Sequence, residues 1–70
     1  MLNERLKQAR EAAGLSQTEL ANKIGVTQAS YCYYEQGLRI PSLGVAKILC
    51  NVLNVSLDWL TGIDDDKAEV

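Results

Sequence analysis

The chain has no histidine and only two cysteines, Cys32 and Cys50, in 70 residues. Two thiols with 17 residues between them match no zinc spacing. There is no glycine-rich phosphate loop, and no Ser or Cys sits beside a plausible base. Catalysis, a metal site and a cofactor are therefore not expected. No apolar run reaches the roughly 18 residues that a membrane-spanning helix needs. The first ten residues, MLNERLKQAR, are charged and helical rather than signal-like. The expected location is the cytoplasm, with both thiols reduced. Strand alternation, internal repeats and low-complexity linkers are also missing. So is a strong basic patch: the net charge is −2.

The charge that is present is unevenly placed. Residues 58–70 hold Asp58, Asp64, Asp65, Asp66 and Glu69 against Lys67, a balance of −4. Residues 1–57 hold six basic and four acidic side chains, a balance of +2. A faintly basic body precedes an acidic tail, which limits non-specific attraction to a polyanion without forbidding it. At 47% hydrophobic residues, the chain can build one small core. It is too short to house a separate ligand domain, so no small-molecule ligand is expected.

The informative stretch is residues 16–37, SQTELANKIGVTQASYCYYEQG. Ser16 can cap a helix, and Glu19 three residues on completes a capping box. Leu15 and Leu20 hold the staple positions around that cap. Gly25 supplies the left-handed residue that closes the helix. The pattern then repeats: Thr27 caps, Val26 and Tyr31 staple, and Gly37 closes. Two capped helices joined by so short a turn should cross steeply, as helix-turn-helix pairs do.

Around this pair the chain predicts three more helices. Over residues 2–13, Leu2, Leu6, Ala9 and Ala13 form one apolar stripe, with Glu4, Arg5, Lys7, Gln8 and Glu11 left to solvent. In the second helix Leu20, Ala21 and Ile24 point inward. In the third, Tyr31 and Tyr34 share the inner side, leaving Gln28, Ala29, Cys32, Tyr33 and Gln36 outside. That outer face is uncharged, which suits the reading of base edges. Residues 38–41 form a loop in which Pro41 stops any helical continuation, and Ser42 caps residues 43–53. That segment is apolar almost all round and is expected to be covered on most sides. Asn54 stops it. Ser56 caps a last short helix closed by Gly62, with Val55 and Leu60 at the staple positions. Trp59 reads as a core or interface anchor.

Three segments, RLKQAREAAGLSQTELANKIGVTQASYCYYEQG, RIPS and LNVSLDWLTG, resemble in order and spacing the Cro/C1-type helix-turn-helix family of phage repressors and small bacterial regulators. The resemblance implies an all-α, five-helix bundle of the lambda repressor-like type. It covers roughly residues 4–62, so the domain is placed at 1–63 with the helix-turn-helix at 17–36; the remaining DDDKAEV, residues 64–70, has little to bury and is expected to be an acidic, disordered tail. It also implies double-stranded DNA as partner and a homodimer on a near-palindromic operator, with the helix from 28 to 36 in the major groove.

Position by position, the resemblance makes Gln28 the main base reader, its amide suited to adenine. Ala29 is next and could meet a thymine methyl, although helix propensity accounts for it equally well. Tyr33 and Cys32 complete the reading face. Gln17, Thr27, Ser30 and Gln36 match phosphate-facing positions, with Arg39 beside them. Arg10 and Glu35 match a structural ion pair between the first and third helices. Leu57, Leu60 and Ile63 are candidates for the dimer interface. Tyr31 and Tyr34 depart from the family's usual Ile, Leu or Trp, so the core beneath the third helix is expected to be wetter than usual. Cys32 has no Lys or Arg within four residues to lower its pKa, so a redox-sensor role is disfavoured.

The function implied is a sequence-specific DNA-binding regulator, in most cases a repressor. The alternative is a protein-interaction module of the same fold, such as an antitoxin or anti-repressor partner.

Overall fold

Four of the five helices begin at a hydroxyl and end at a left-handed residue. A computed structural model describes residues 2–62. It contains α1 (Leu2–Ala12), α2 (Gln17–Ile24), α3 (Gln28–Gln36), α4 (Leu43–Leu53) and α5 (Leu57–Thr61), with no strand among the described residues. The fold is the expected all-α, five-helix arrangement. Residues 64–70 and Ile63 lie outside the described residues.

Ser16, Thr27, Ser42 and Ser56 each accept a hydrogen bond from the backbone N–H three residues on. At α2 the capping box is closed in both directions. Glu19 N–H donates to Ser16 Oγ at 3.0 Å, and Ser16 N–H donates to Glu19 Oε1 at 2.8 Å. The Ser16 backbone N–H, with the Ser16 hydroxyl behind it, holds the Glu19 carboxyl below its ordinary range. Gly25, Gly37, Asn54 and Gly62 close the four helices at φ between 57° and 81°. Asn54 is the one non-glycine at positive φ among the described residues.

The staples close the same corners from the apolar side. Leu20, Tyr31 and Leu60 are fully buried, and Leu15, Val26 and Val55 pack against the core from the preceding loops. The core also takes Leu6 and Ala9 from α1, Ala21 and Ile24 from α2, and Leu49 and Leu53 from α4. No helix of the described residues is long and apolar enough to cross a membrane.

Three expectations are corrected. Ala13 lies just past the end of α1 and is exposed, because the chain turns there: Leu15 N–H reaches back to Arg10 O at 3.2 Å. Arg5 is not left to solvent. Its guanidinium lies over the Trp59 ring, 5.2 Å from the centroid, and Nη1 donates to the Trp59 carbonyl, joining α1 to α5. The helix α4 is not covered on most sides. Leu43 is 69% exposed and Ile48 43%, and the preceding loop leaves Leu38 at 68% and Ile40 at 82%. A helix covered on one side only buries one stripe, here Ala46, Leu49 and Leu53. An apolar composition alone does not say how many neighbours there are to cover the rest.

Candidate nucleic-acid interface

The third helix owes its position to what grips its inner side. Tyr31 is fully buried, and Tyr34 meets it edge-on, with ring centroids 6.2 Å apart at 84°. The Tyr31 hydroxyl donates to Glu35 Oε2, one turn along α3. The same carboxylate accepts from Arg10 Nε at 2.6 Å, Arg10 Nη2 at 3.3 Å and Gln17 Nε2 at 3.0 Å. Arg10 Nη1 also donates to the Leu15 carbonyl at 2.8 Å. One carboxylate thus ties α1, the α1–α2 turn, the first residue of α2, and α3 together.

The network is largely dry, with the Arg10 and Glu35 side chains 11% and 5% exposed. Burial pushes the Glu35 carboxyl upward, but the hydrogen bonds from Arg10, Tyr31 and Gln17 outweigh it and leave the carboxyl below the usual range. The hydrogen bond to Glu35 raises the Arg10 guanidinium further. Burial, then the bond to Glu35, pushes the Tyr31 phenol well above its ordinary value. The Tyr31 hydroxyl thus finds its partner in protein, and no buried side-chain polar atom of the described residues lacks one.

On the outer side, Gln28, Ala29, Cys32, Tyr33 and Gln36 fall at helical spacing along one face. Gln28, Ala29, Tyr33 and Gln36 are exposed and Cys32 is half-buried. Among the described residues the Gln28 amide makes no hydrogen bond and is free to accept a ligand. Gln36 folds back along the helix, its Nε2 3.2 Å from Cys32 Sγ. At the start of the helix, Thr27 Oγ1 accepts from Ser30 N–H at 3.1 Å and donates to Ser30 Oγ at 3.0 Å. At the far end, the Arg39 guanidinium lies over the Tyr33 ring, 5.4 Å from its centroid.

The remaining sequence-derived positions fall less simply. The Gln17 side-chain amide is held by Glu35. What the start of α2 offers a ligand includes the Gln17 backbone N–H, which has no intrahelical partner. Leu57 is half-buried, but Leu60 is enclosed within the chain's own core and is not available to a partner. Tyr31's place in the Glu35 network was not foreseen, although the i, i+4 spacing of Tyr31 and Glu35 was a usable signal. Among the described residues no cluster of three or more Cys, Asp or Glu side chains could hold a metal ion.

A family model described as helix-turn-helix matches residues 6–60. The chain is 39% identical over 66 residues to the uncharacterized HTH-type transcriptional regulator YobD of Bacillus subtilis (strain 168), covering 94% of this chain and 59% of YobD. It is 39% identical over 64 residues to the HTH-type transcriptional regulator ImmR of the same organism, covering 91% of this chain and 50% of ImmR. The chain thus spans about half the length of these relatives. Its fold superimposes on the crystal structure of SinR, the master regulator for biofilm formation, in complex with DNA. The TM-score is 0.81 at 35% identity, over 87% of this chain and 98% of that one.

Proposed function

The chain belongs to the Cro/C1-type helix-turn-helix family of transcriptional regulators, and from that premise we propose that it binds duplex DNA sequence-specifically and represses transcription as a homodimer on a near-palindromic operator. The observation that carries this reading is the outer face of α3. It is an uncharged row of exposed amide and methyl groups with the half-buried Cys32 thiol among them, on a helix tied from behind to α1 and α2 through Glu35. Such groups match the donors, acceptors and methyls of base edges.

In this reading Gln28 is the main base reader, its unpartnered amide suited to the N6/N7 edge of adenine. Ala29 follows it and Cys32 continues the row, with Tyr33 exposed beside them. The backbone N–H of Gln17 at the start of α2 meets a phosphate, helped by the helix dipole. Thr27, Ser30, Gln36 and Arg39 flank the same path along the DNA backbone. Leu57, with Ile63, remains a candidate contact between the two copies. The exposed Leu38, Ile40 and Leu43 add apolar surface that association would remove from water.

The test is fluorescence anisotropy with duplexes selected from a randomised pool, wild type beside Gln28→Ala, across a salt series. Wild type should select a palindrome and tighten as salt falls. Gln28→Ala should keep its fold and lose the selected sequence, at a cost of about 1–3 kcal/mol. If neither protein binds any duplex at low salt, the alternative of a protein-interaction module replaces this reading.

A further inference from the structure

We infer that Tyr33 and Arg39 act as one unit, in which the Tyr33 ring is the platform that sets the Arg39 guanidinium against a DNA phosphate. Tyr33 is then a positioning residue and not a base reader. The inference rests on the DNA-binding reading proposed above.

Two contacts join the pair. Gly37, at φ 77°, folds the chain back over the end of α3. Leu38 N–H and Arg39 N–H then both reach the Tyr33 carbonyl, at 3.0 and 3.4 Å. This holds the backbone of residue 39 beside residue 33. The guanidinium is held over the ring of the same tyrosine, 5.4 Å from its centroid. A flexible arginine is thereby restricted at both ends, so less freedom is lost when it meets an anion.

Charge gives the arrangement its weight. Glu35 and Arg39 are the only charged side chains between Gly25 and Ala46, and Glu35 is ion-paired to Arg10. Arg39 has no acidic partner among the described residues. Within residues 26–45 it is therefore the one positive charge, and it is not committed to an acidic partner, in a chain whose body carries a balance of only +2. Stacking on a ring leaves a guanidinium's edge N–H groups open for bidentate contact with a phosphate. Tyr33 is exposed and its ring lies beneath Arg39, so what it contributes to the pair is a ring face.

Two measurements test the pair. By NMR on the free protein, the Arg39 side-chain protons should be shifted upfield by the ring, keep that shift in Tyr33→Phe and lose it in Tyr33→Leu. By anisotropy on the selected duplex, Tyr33→Phe should bind within about twofold of wild type with unchanged sequence preference. Tyr33→Leu should lose about two- to fivefold, equally on all sequences. Arg39→Ala should lower the salt slope by about 1. The double variant Tyr33→Leu/Arg39→Ala should bind no worse than Arg39→Ala alone. Additive losses, a changed sequence preference in Tyr33→Phe, or no ring-dependent shift overturn the platform while leaving DNA binding intact. A wild type that shows the shift but binds no duplex overturns the DNA reading, and with it the phosphate assigned to Arg39.

Discussion

Glu35 is the residue on which the geometry of the α2–α3 pair turns. It accepts from Arg10, Gln17 and Tyr31, which reach it from three helices. Its folded pKa is depressed, so the stability it contributes is present above the ordinary carboxyl value of 4.5 and is lost as pH falls through the lower folded value. Tyr31 has the opposite sign. Its folded pKa is raised, so its contribution is complete below 10.0 and is lost as pH rises beyond it. Tyr31→Phe should cost about 1–2 kcal/mol at neutral pH, since it removes a hydrogen bond to a charged group without opening a cavity. In urea titrations across pH, the variant should lack the Tyr31 part of the alkaline loss and show a shallower acid loss. Cys50, whose thiol burial pushes upward from 9.0, adds an alkaline loss that this substitution leaves in place. An alkaline arm identical to wild type would show that the Tyr31 phenol is not held protonated by this site.

Local chemistry sets the helix ends, which is why they were readable in the sequence. Ser16 with Glu19, Thr27, Ser42 and Ser56 at the starts, and Gly25, Gly37, Asn54 and Gly62 at the stops, all act within four or five residues of themselves. What depends on how helices cross was not readable. Gln17 has the same sequence neighbours whether its amide meets a phosphate or Glu35, and only the α2–α3 crossing places Glu35 within 3.0 Å. Arg5 looks solvent-bound until α5 brings Trp59 under it. The exposure of Leu43 on α4 likewise follows from which sides have neighbours. The turn between α2 and α3 allows a clean test of the local part. A Cβ at Gly25 would meet nothing within 4 Å, so Gly25→Ala isolates the backbone cost of φ 78°. The left-handed penalty of about 1–2 kcal/mol, less the unfolded-state gain of about 0.5–1, leaves a net loss of about 1 kcal/mol. Chemical denaturation should show that loss at an unchanged m-value, because no packing is altered. A much larger loss would mean that the turn is more crowded than its surroundings indicate.

At the scale of the whole molecule, the limiting quantity is length. The nine residues of α3 extend about 13.5 Å, enough to cross one major-groove face and far short of the roughly 34 Å between successive faces of the duplex. A body balance of only +2 also gives a single copy little electrostatic hold on DNA. In the proposed homodimer, two weak half-site contacts become one specific complex only if both copies engage the same face of the duplex, so phasing should matter more than contact at either half-site. Inserting about 5 bp at the centre of a selected palindrome turns one half-site by about half a helical turn while leaving every contacted base intact. Gel-shift titration should then show the two-chain complex on the original site give way to weak, independent binding at each half-site. Inserting about 10 bp should restore phase and recover part of the affinity if the contact between copies tolerates the added separation. Equal affinity on all three duplexes would mean that each chain binds alone. The near-palindromic operator would then have to be abandoned, although Gln28 could still read its half-site.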